Sequence, residues 1–236
     1  MPTISAVGLT LTFLPAILAL AIMHRWRAGA QTALYATIRM LVQLTLIGYV
    51  LIAIFEADHL GVIALVLAIM LVISSWIAVR TVRAGRRRAY WLALAAITIA
   101  GLGTLGPVTQ FVIGVEPWFS PRFVIPLAGM IFASCMNAVS LAAERFEAET
   151  ERGVAYGQAR RAALDTALIP VVNSLFAVGL VSLPGMMTGQ ILSGVSPLIA
   201  AKYQIVVMTT LFGAAGIAAA IYLYLAGSRT RQPDPV

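Results

Sequence analysis

Apolar stretches alternate with short polar ones along the whole chain. The apolar stretches run over roughly 4–23, 33–55, 60–79, 90–113, 123–143, 166–192 and 198–226. Each is near or above the roughly 20 residues that a helix needs to cross a bilayer core. The pattern predicts an all-α integral membrane protein with seven transmembrane helices. One transmembrane domain covers 1–226, followed by a short polar tail over 227–236 that is expected to be disordered. No polar interval is long enough for a soluble domain. The first run is expected to stay as a span, because His24, Arg25 and Arg27 follow it. A cleavable signal peptide carries its basic residues in front of the apolar run.

Composition agrees with the pattern. Hydrophobic residues make up 61% of the chain and charged residues only 11%, against about 25% charged in a soluble domain. The formal charge of +7 raises the possibility of nucleic acid, but its distribution points elsewhere. Arg25, Arg27, Arg80, Arg83, Arg86, Arg87, Arg88, Arg145, Arg152, Arg160, Arg161, Arg229 and Arg231 fall on one side of the alternating spans, which is 13 of the 16 Lys and Arg residues. Arg122 and Lys202 fall on the other, with Glu56, Asp58 and Glu116. Basic residues collect on the cytoplasmic side. This predicts an outside N-terminus, a cytoplasmic C-terminus and an odd number of spans. The Arg80–Arg88 cluster suits anionic lipid headgroups and lacks the folded platform that nucleic acid would need. Trp26, Trp76, Trp91 and Trp118 fall near expected interfaces, as in an aromatic belt.

Sites for chemistry are missing from the pattern. There is no phosphate-binding loop, no nucleophile elbow and no paired histidine motif. His24 and His59 fall at opposite faces. The single cysteine, Cys135, has no intrachain partner. The chain is not expected to be an enzyme, and energy for any transport has to come from a partner or an ion gradient.

Polar residues inside the spans are the candidates for a path. Arg39 is a strong charge within the second span, and a central Arg costs about 2.5–3.5 kcal/mol on insertion scales. Gln43 follows one turn later on the same face. Arg39 serves either as a substrate or gating contact or as a side chain that snorkels to the nearby cytoplasmic interface. Ser134 and Asn137 in the fifth span, with Asn173 and Ser174 in the sixth, either line a polar path or bond helices together. Met130, Cys135, Met136, Met186 and Met187 offer soft-metal ligands or fill gaps in packing. Gly185 and Gly189 form a small-xxx-small pair that permits close helix approach.

The sixth span, ALIPVVNSLFAVGLVSLPGMMTG over 167–189, is too irregular for a plain anchor. Pro170 and Pro184 each remove a backbone donor, and Pro184 followed by Gly185 predicts a break or hinge. Before it, the loop expected from about Glu144 to Asp165 is rich in both acids and bases. Within that loop Glu151 precedes Gly157 by six residues, and Gly157 precedes Pro170 by thirteen. This spacing resembles the coupling loop of ABC importer permeases, in which a short helix docks on the ATPase subunit. Glu151, Gly157, Arg160 and Arg161 are the candidate contacts; the alternative is a solvated charged loop.

The segments VGLVSLPGMM (178–187), SPLIAAKYQIVV (196–207), RMLVQLTLIGYVL (39–51), IPLAGMI (125–131) and ALIP (167–170) resemble, in the same order, the permease subunits of FetB-type iron-export ABC transporters. Plant aluminium-tolerance permeases belong to that family. The resemblance implies a permease homodimer in the lipid of a bacterial inner membrane, working with cytoplasmic ABC ATPase subunits that bind the ATP. It implies iron or metal export and protection against metal or oxidative stress, with no cofactor on this chain. Members often carry Asp where Asn173 stands, Lys where Phe176 stands, and Gly-Asn-Ala-Met where this chain has Ala133-Ser134-Cys135-Met136. An organic solute such as a nucleotide sugar is the alternative cargo, and a membrane scaffold without transport is the other class.

Overall fold

The computed structural model describes residues 5–56, 59–83, 85–114, 116–117 and 119–227. Trp118, Asp58, Arg229, Arg231 and the tail beyond Gly227 lie outside the described residues. The chain forms two compact units, Met1–Ala57 and Asp58–Val236.

The first unit contains α1 (Ala6–Leu11), α2 (Phe13–Arg25) and α3 (Ala30–Glu56). Ser5 caps α1, its Oγ accepting from the Gly8 N–H at 3.0 Å. The single span expected over 4–23 is interrupted at Thr12. Pro15, which has no N–H, cannot serve the Leu11 carbonyl four residues back. The Thr12 hydroxyl and N–H both turn to the Leu9 carbonyl, at 2.7 and 3.2 Å. Between α2 and α3 the chain turns through two left-handed residues, Arg27 (φ 57°) and Gly29 (φ 72°).

The second unit contains α4 (Leu60–Ala78), α5 (Arg86–Pro107), α6 (Pro121–Glu151), α7 (Tyr156–Ala177), α8 (Gly185–Leu192) and α9 (Pro197–Ala226). A π-helical turn over Val108–Ile113 extends α5 past Pro107 and ends at left-handed Gly114. Helix α6 is the hub: it packs on α4, α5, α7 and α9, and α9 packs on α5, α6, α7 and α8. Small side chains make this possible. Ala93, Ala96 and Ala100 of α5, Ala128, Ala138 and Ala142 of α6, and Ala214, Ala215 and Ala218 of α9 are all buried. In lipid, packing rather than water exclusion holds helices together, and small residues let them approach closely.

Two expected elements take a different form. The loop expected over about 144–165 is largely helical. α6 continues to Glu151, a turn of four residues follows, and α7 starts at Tyr156. The glycine at the turn is Gly153 (φ 77°), which lets the Val154 N–H reach the Glu149 carbonyl at 3.1 Å. Gly157 lies inside α7. The sixth span expected over 166–192 is not one helix. α7 ends at Ala177, the chain turns through Gly179 (φ 81°), and α8 begins after Pro184. The Val181 and Ser182 N–H groups return to the Ala177 carbonyl, and the Gly179 N–H bonds the Ser182 carbonyl at 3.0 Å. The turn therefore satisfies much of its own backbone.

Six helical segments among the described residues are long and apolar enough to cross a membrane: Gly8–Arg25, Ala30–Leu51, Leu60–Ala78, Arg86–Ile113, Pro121–Glu151 and Pro197–Ala226. α7 carries Arg160, Arg161 and Asp165 in its first half. Its 22 residues still make a rod of about 33 Å at 1.5 Å per residue, lying antiparallel beside α9. At one end the Tyr156 hydroxyl donates to the Leu223 carbonyl at 3.4 Å; at the other, Leu175 and Val178 share a cavity wall with Ala201 and Gln204.

The charged ends of the second unit converge. The Arg83 N–H, in the α4–α5 connection, donates to Glu147 of α6 at 3.3 Å. Glu149 pairs with Arg145 at 2.6 Å and with Arg152 at 3.7 Å. Arg86 lies over the Trp76 ring at 5.6 Å. The basic residues from Arg80 to Arg88 and from Arg145 to Arg161 thus gather at one end of the bundle, the end that also holds the C-terminus of α9.

The tightest helix contact gives a stability prediction. A Cβ added at Gly101 of α5 would lie 2.7 Å from the Phe132 ring of α6, and Phe132 is fully buried. Gly101→Ala is expected to destabilise the bundle by about 1–3 kcal/mol, as overpacking does, measurable as a lowered Tm in detergent.

Candidate functional site

Three part-open cavities lie in file along the antiparallel pair α7 and α9. The middle one, about 320 Å³, is walled by Met130, Ser134 and Asn137 of α6, Pro170 and Ser174 of α7, and Met208 of α9. Its walls are helix faces. On α7, Ala167, Pro170, Val171 and Ser174 line it, the i, i+3, i+4, i+7 spacing of one stripe. On α6, Ser134, Asn137, Ala138 and Leu141 repeat that spacing. Beyond the middle cavity lies an outer one of about 300 Å³, walled by Leu175, Val178, Met187, Gln204, Met208 and Thr209. At the charged end lies a third, of about 720 Å³, walled by Gly157, Arg160, Arg161 and Leu164 of α7 with Ile221 and Tyr224 of α9. From Ala201 in the outer cavity to Leu225 in the third, α9 rises about 36 Å. The hydrocarbon core is about 30 Å thick, so the file is as long as a membrane is deep.

Polarity in the middle cavity comes from hydroxyl and amide groups. The Ser134 Oγ donates to the Leu211 carbonyl of α9 at 3.2 Å, and the Ser174 Oγ donates to the Pro170 carbonyl at 2.9 Å. Each hydroxyl keeps lone pairs free to accept. Pro170 breaks no helix here, but it leaves the Thr166 carbonyl without its usual donor.

Ser134, Asn137 and Ser174 line the same cavity. Asn173 does not join them. It is exposed and absent from the wall, because successive helix residues point about 100° apart. Arg39 and Gln43 belong to the first unit, on α3. With the Gln43 amide turned so that its oxygen faces the guanidinium, it accepts from Arg39 Nε at 3.2 Å and Nη2 at 3.3 Å, so the charge finds a partner one turn along its own helix. The five sulfur residues do not share one cavity. Met130 lines the middle cavity and Met187 the outer one, while Cys135 is fully buried within α6 packing and Met136 and Met186 line neither. No group of three His, Cys, Asp or Glu side chains that could hold a metal ion occurs among the described residues. Glu151 ends α6, while Gly157, Arg160 and Arg161 line the third cavity; Arg160 stacks over Tyr156 at 5.4 Å. Pro184 and Gly185 start α8, at the end of the break.

Two residues escaped the sequence reading. Met208 lines both the middle and outer cavities, and Gln204 is buried in the outer wall. Gln204 had a legible signal: an amide deep in an otherwise apolar span is by default a functional candidate. Met208 had none, since its importance is purely a matter of position.

Comparison with known proteins shows the family. Residues 6–230 match the model of the uncharacterised protein family UPF0014. The chain belongs to this family. It is 42% identical over 195 residues to the UPF0014 membrane protein slr1647 of Synechocystis sp., covering 74% of this chain and 73% of the relative. It is 34% identical over 212 residues to Protein ALUMINUM SENSITIVE 3 of Arabidopsis thaliana, covering 81% and 74%. It is 31% identical over 237 residues to the "Probable iron export permease protein FetB" of Escherichia coli, covering 92% and 89%. No solved structure matches the chain. This UPF0014 member is a multi-pass membrane protein.

The single cysteine makes the cavity wall testable. In a Cys135→Ala background, Ser174→Cys and Asn137→Cys are expected to react with a charged, water-soluble thiol reagent at least tenfold faster than Cys135 does in the unaltered protein. Mass spectrometry of the labelled chain reads the rates, and equal rates would remove water from the proposed middle cavity.

Proposed function

We propose that this chain is the membrane permease subunit of an ABC exporter that moves iron or another metal ion out of the cell. The observation that carries the reading is the file of three cavities along α7 and α9, about as long as the membrane is thick. The relative named a probable iron export permease, aligned along most of both chains, supports the cargo class. The chain supplies the path, and ATP is hydrolysed on a partner ABC ATPase. The gathered arginines set the charged end, with the α6–α7 turn and the C-terminus of α9, on the cytoplasmic side. The N-terminus is then outside, with seven crossings.

That orientation places Glu151, Gly157, Arg160 and Arg161 where a cytoplasmic ATPase docks. The turn between α6 and α7 is a short lever, since α7 continues rigidly from the docking point to the middle cavity. ATPase movement at Tyr156–Arg161 is passed along α7 to Ser174 and then to the break before Pro184 and Gly185, which acts as the hinge. A second copy of the chain completes the open side of the path. The cargo meets Ser134, Asn137 and Ser174, whose neutral oxygens hold a partly hydrated cation without trapping it. Arg39 with Gln43 forms a separate polar pair on α3.

One observation favours a second cargo. The middle cavity presents hydroxyls and an amide but no carboxylate among its wall residues, and such a lining also suits an organic solute such as a nucleotide sugar. Metal-stimulated ATPase activity of the reconstituted complex separates the two cargoes.

Two outcomes are expected. Asn137→Leu lowers Fe²⁺ efflux at least tenfold while Asn173→Leu leaves it within twofold, with both variants still assembled; the reverse order of effects removes the middle cavity from the path. Replacing Arg160 and Arg161 together by Glu abolishes co-purification with the ATPase, and retention of the partner at the unaltered level overturns the docking assignment.

A further inference from the structure

Asn173 stands outside the middle cavity, on a face of α7 that lipid alone covers poorly. Asp165 is the last charged side chain of α7, and Asn173 lies about 12 Å further along the helix at 1.5 Å per residue. That puts it deep in a hydrocarbon core about 30 Å thick. Its side chain is exposed and has no hydrogen-bond partner among the described residues. The other polar residues in this half of α7 are satisfied within the helix. Thr166 donates to the Ala162 carbonyl at 2.8 Å and Ser174 to the Pro170 carbonyl at 2.9 Å. A primary amide offers two donors and an acceptor, and leaving them unpaired in an apolar medium is costly. A spare acceptor lies close by, because Pro170 leaves the Thr166 carbonyl without its usual donor. Freed groups of this kind are satisfied in membranes by a neighbouring helix.

The residues around Asn173 form a helix-packing face. Ala162, Thr166, Ile169 and Asn173 follow the i, i+4, i+7, i+11 spacing of one stripe. Ala162 and Thr166 are a small-xxx-small pair, which lets a second helix come close. Ile169 is 54% exposed, so nothing in the single chain covers the middle of the stripe. The stripe lies about a third of a turn from the cavity-lining one at 3.6 residues per turn. On that side Pro170 and Ser174 are exposed while also lining the middle cavity. A helix laid on the stripe therefore stands at the mouth of that part-open cavity.

We propose that this stripe is the seam between two copies of the chain, with the two Asn173 amides bonded to each other across a two-fold axis along the membrane normal. This rests on the reading of the chain as a permease that works as a pair. An amide both donates and accepts, so Asn173 is its own complement, as a two-fold interface requires of a residue on its axis. A lone polar residue in an apolar seam also fixes register and the number of copies. The second copy closes the open side of the middle cavity beside Pro170 and Ser174. Asn173 is thus a positioning residue of the pair and stands outside the path itself.

The test uses the full-length chain in native membranes, in a Cys135→Ala background with a mild oxidant. Ile169→Cys leaves Asn173 intact. It is expected to give a disulfide-linked dimer at least tenfold faster than Ile99→Cys of α5, a helix position of similar exposure at 58%. Rates within twofold of each other overturn the seam. Adding Asn173→Leu to Ile169→Cys is expected to slow linking about fivefold, on the order of the loss of two interhelical hydrogen bonds in a membrane. Asn173→Gln, which keeps the self-complementary amide, is expected to stay within twofold. Packing along Ala162, Thr166 and Ile169 still holds the leucine variant as a pair, so its efflux survives. Linking that ignores Asn173→Leu overturns the amide bond. Fast reaction of Asn173→Cys with a charged, water-soluble thiol reagent, without linked dimer, makes the face a water-lined one and overturns the seam. If Fe²⁺ is still exported when the seam fails, only the seam falls. If Ile169→Cys links as expected but the unaltered chain exports no Fe²⁺, the seam stands and the export reading falls.

Discussion

Lipid offers no water to a backbone, so every N–H and C=O inside the hydrocarbon core has to find a partner in the protein. The rest of this structure depends on that constraint. It explains why the spans are helices, and why each irregularity brings its own bonds. Thr12 returns its hydroxyl and N–H to Leu9 where α1 meets α2. Val181 and Ser182 return to Ala177 at the break after α7. Most membrane-embedded hydroxyls do likewise within their own helix, as Thr45 does to Leu41 and Ser75 to Leu71. Two instead reach across to α9: Ser134 bonds the Leu211 carbonyl and Tyr156 the Leu223 carbonyl. These two bonds tie α6 and α7 to α9 at mid-depth and at the charged end.

Between those ties the helices are held by small side chains, and this creates the cavities. Alanine-rich faces bring α5, α6 and α9 close together, and the buried residues of α7, Ala159, Ala163 and Ala167, are alanines too. Open space remains along the α7–α9 pair. The polar groups that face this space come from separate helices, each placed by the 3.6-residue period. The three cavities lie along α7, from the charged end to the helix break at the opposite end.

The spans, the helix break and the grouping of charges were legible in the chain, because each depends on local chemistry. Apolar length sets the spans, Gly179 and Pro184 set the break, and the arginines sort themselves by the alternation of the spans. The stretch around Glu144–Asp165 was expected as a charged loop, but it is largely helical. Glu147, Glu149 and Arg145 are good helix formers, and their ion pair and contact with the α4–α5 connection extend α6 beyond the apolar stretch. Gly157 of the spacing motif lies inside α7, and the left-handed turn residue is Gly153. The sixth apolar run was long enough for a span, but its length includes a turn that only the backbone geometry exposes.

At the site, residue type was a better guide than rotation. Ser134 and Ser174 were identified as polar residues in spans, and both line the middle cavity. Asn173 is as polar as its neighbour, yet faces away, since a single step along a helix turns the side chain by about 100°. Gln204 and Met208 acquire their places only when α7, α8 and α9 are brought side by side. The sequence by itself determined that this protein lives in a membrane, which ends of its helices carry the charge, and where one helix must break, because transfer energies and backbone chemistry act locally. Only the tertiary structure decided which polar atoms share a cavity and which polar side chain is turned away from it, because those depend on the register and rotation of helices far apart in the chain.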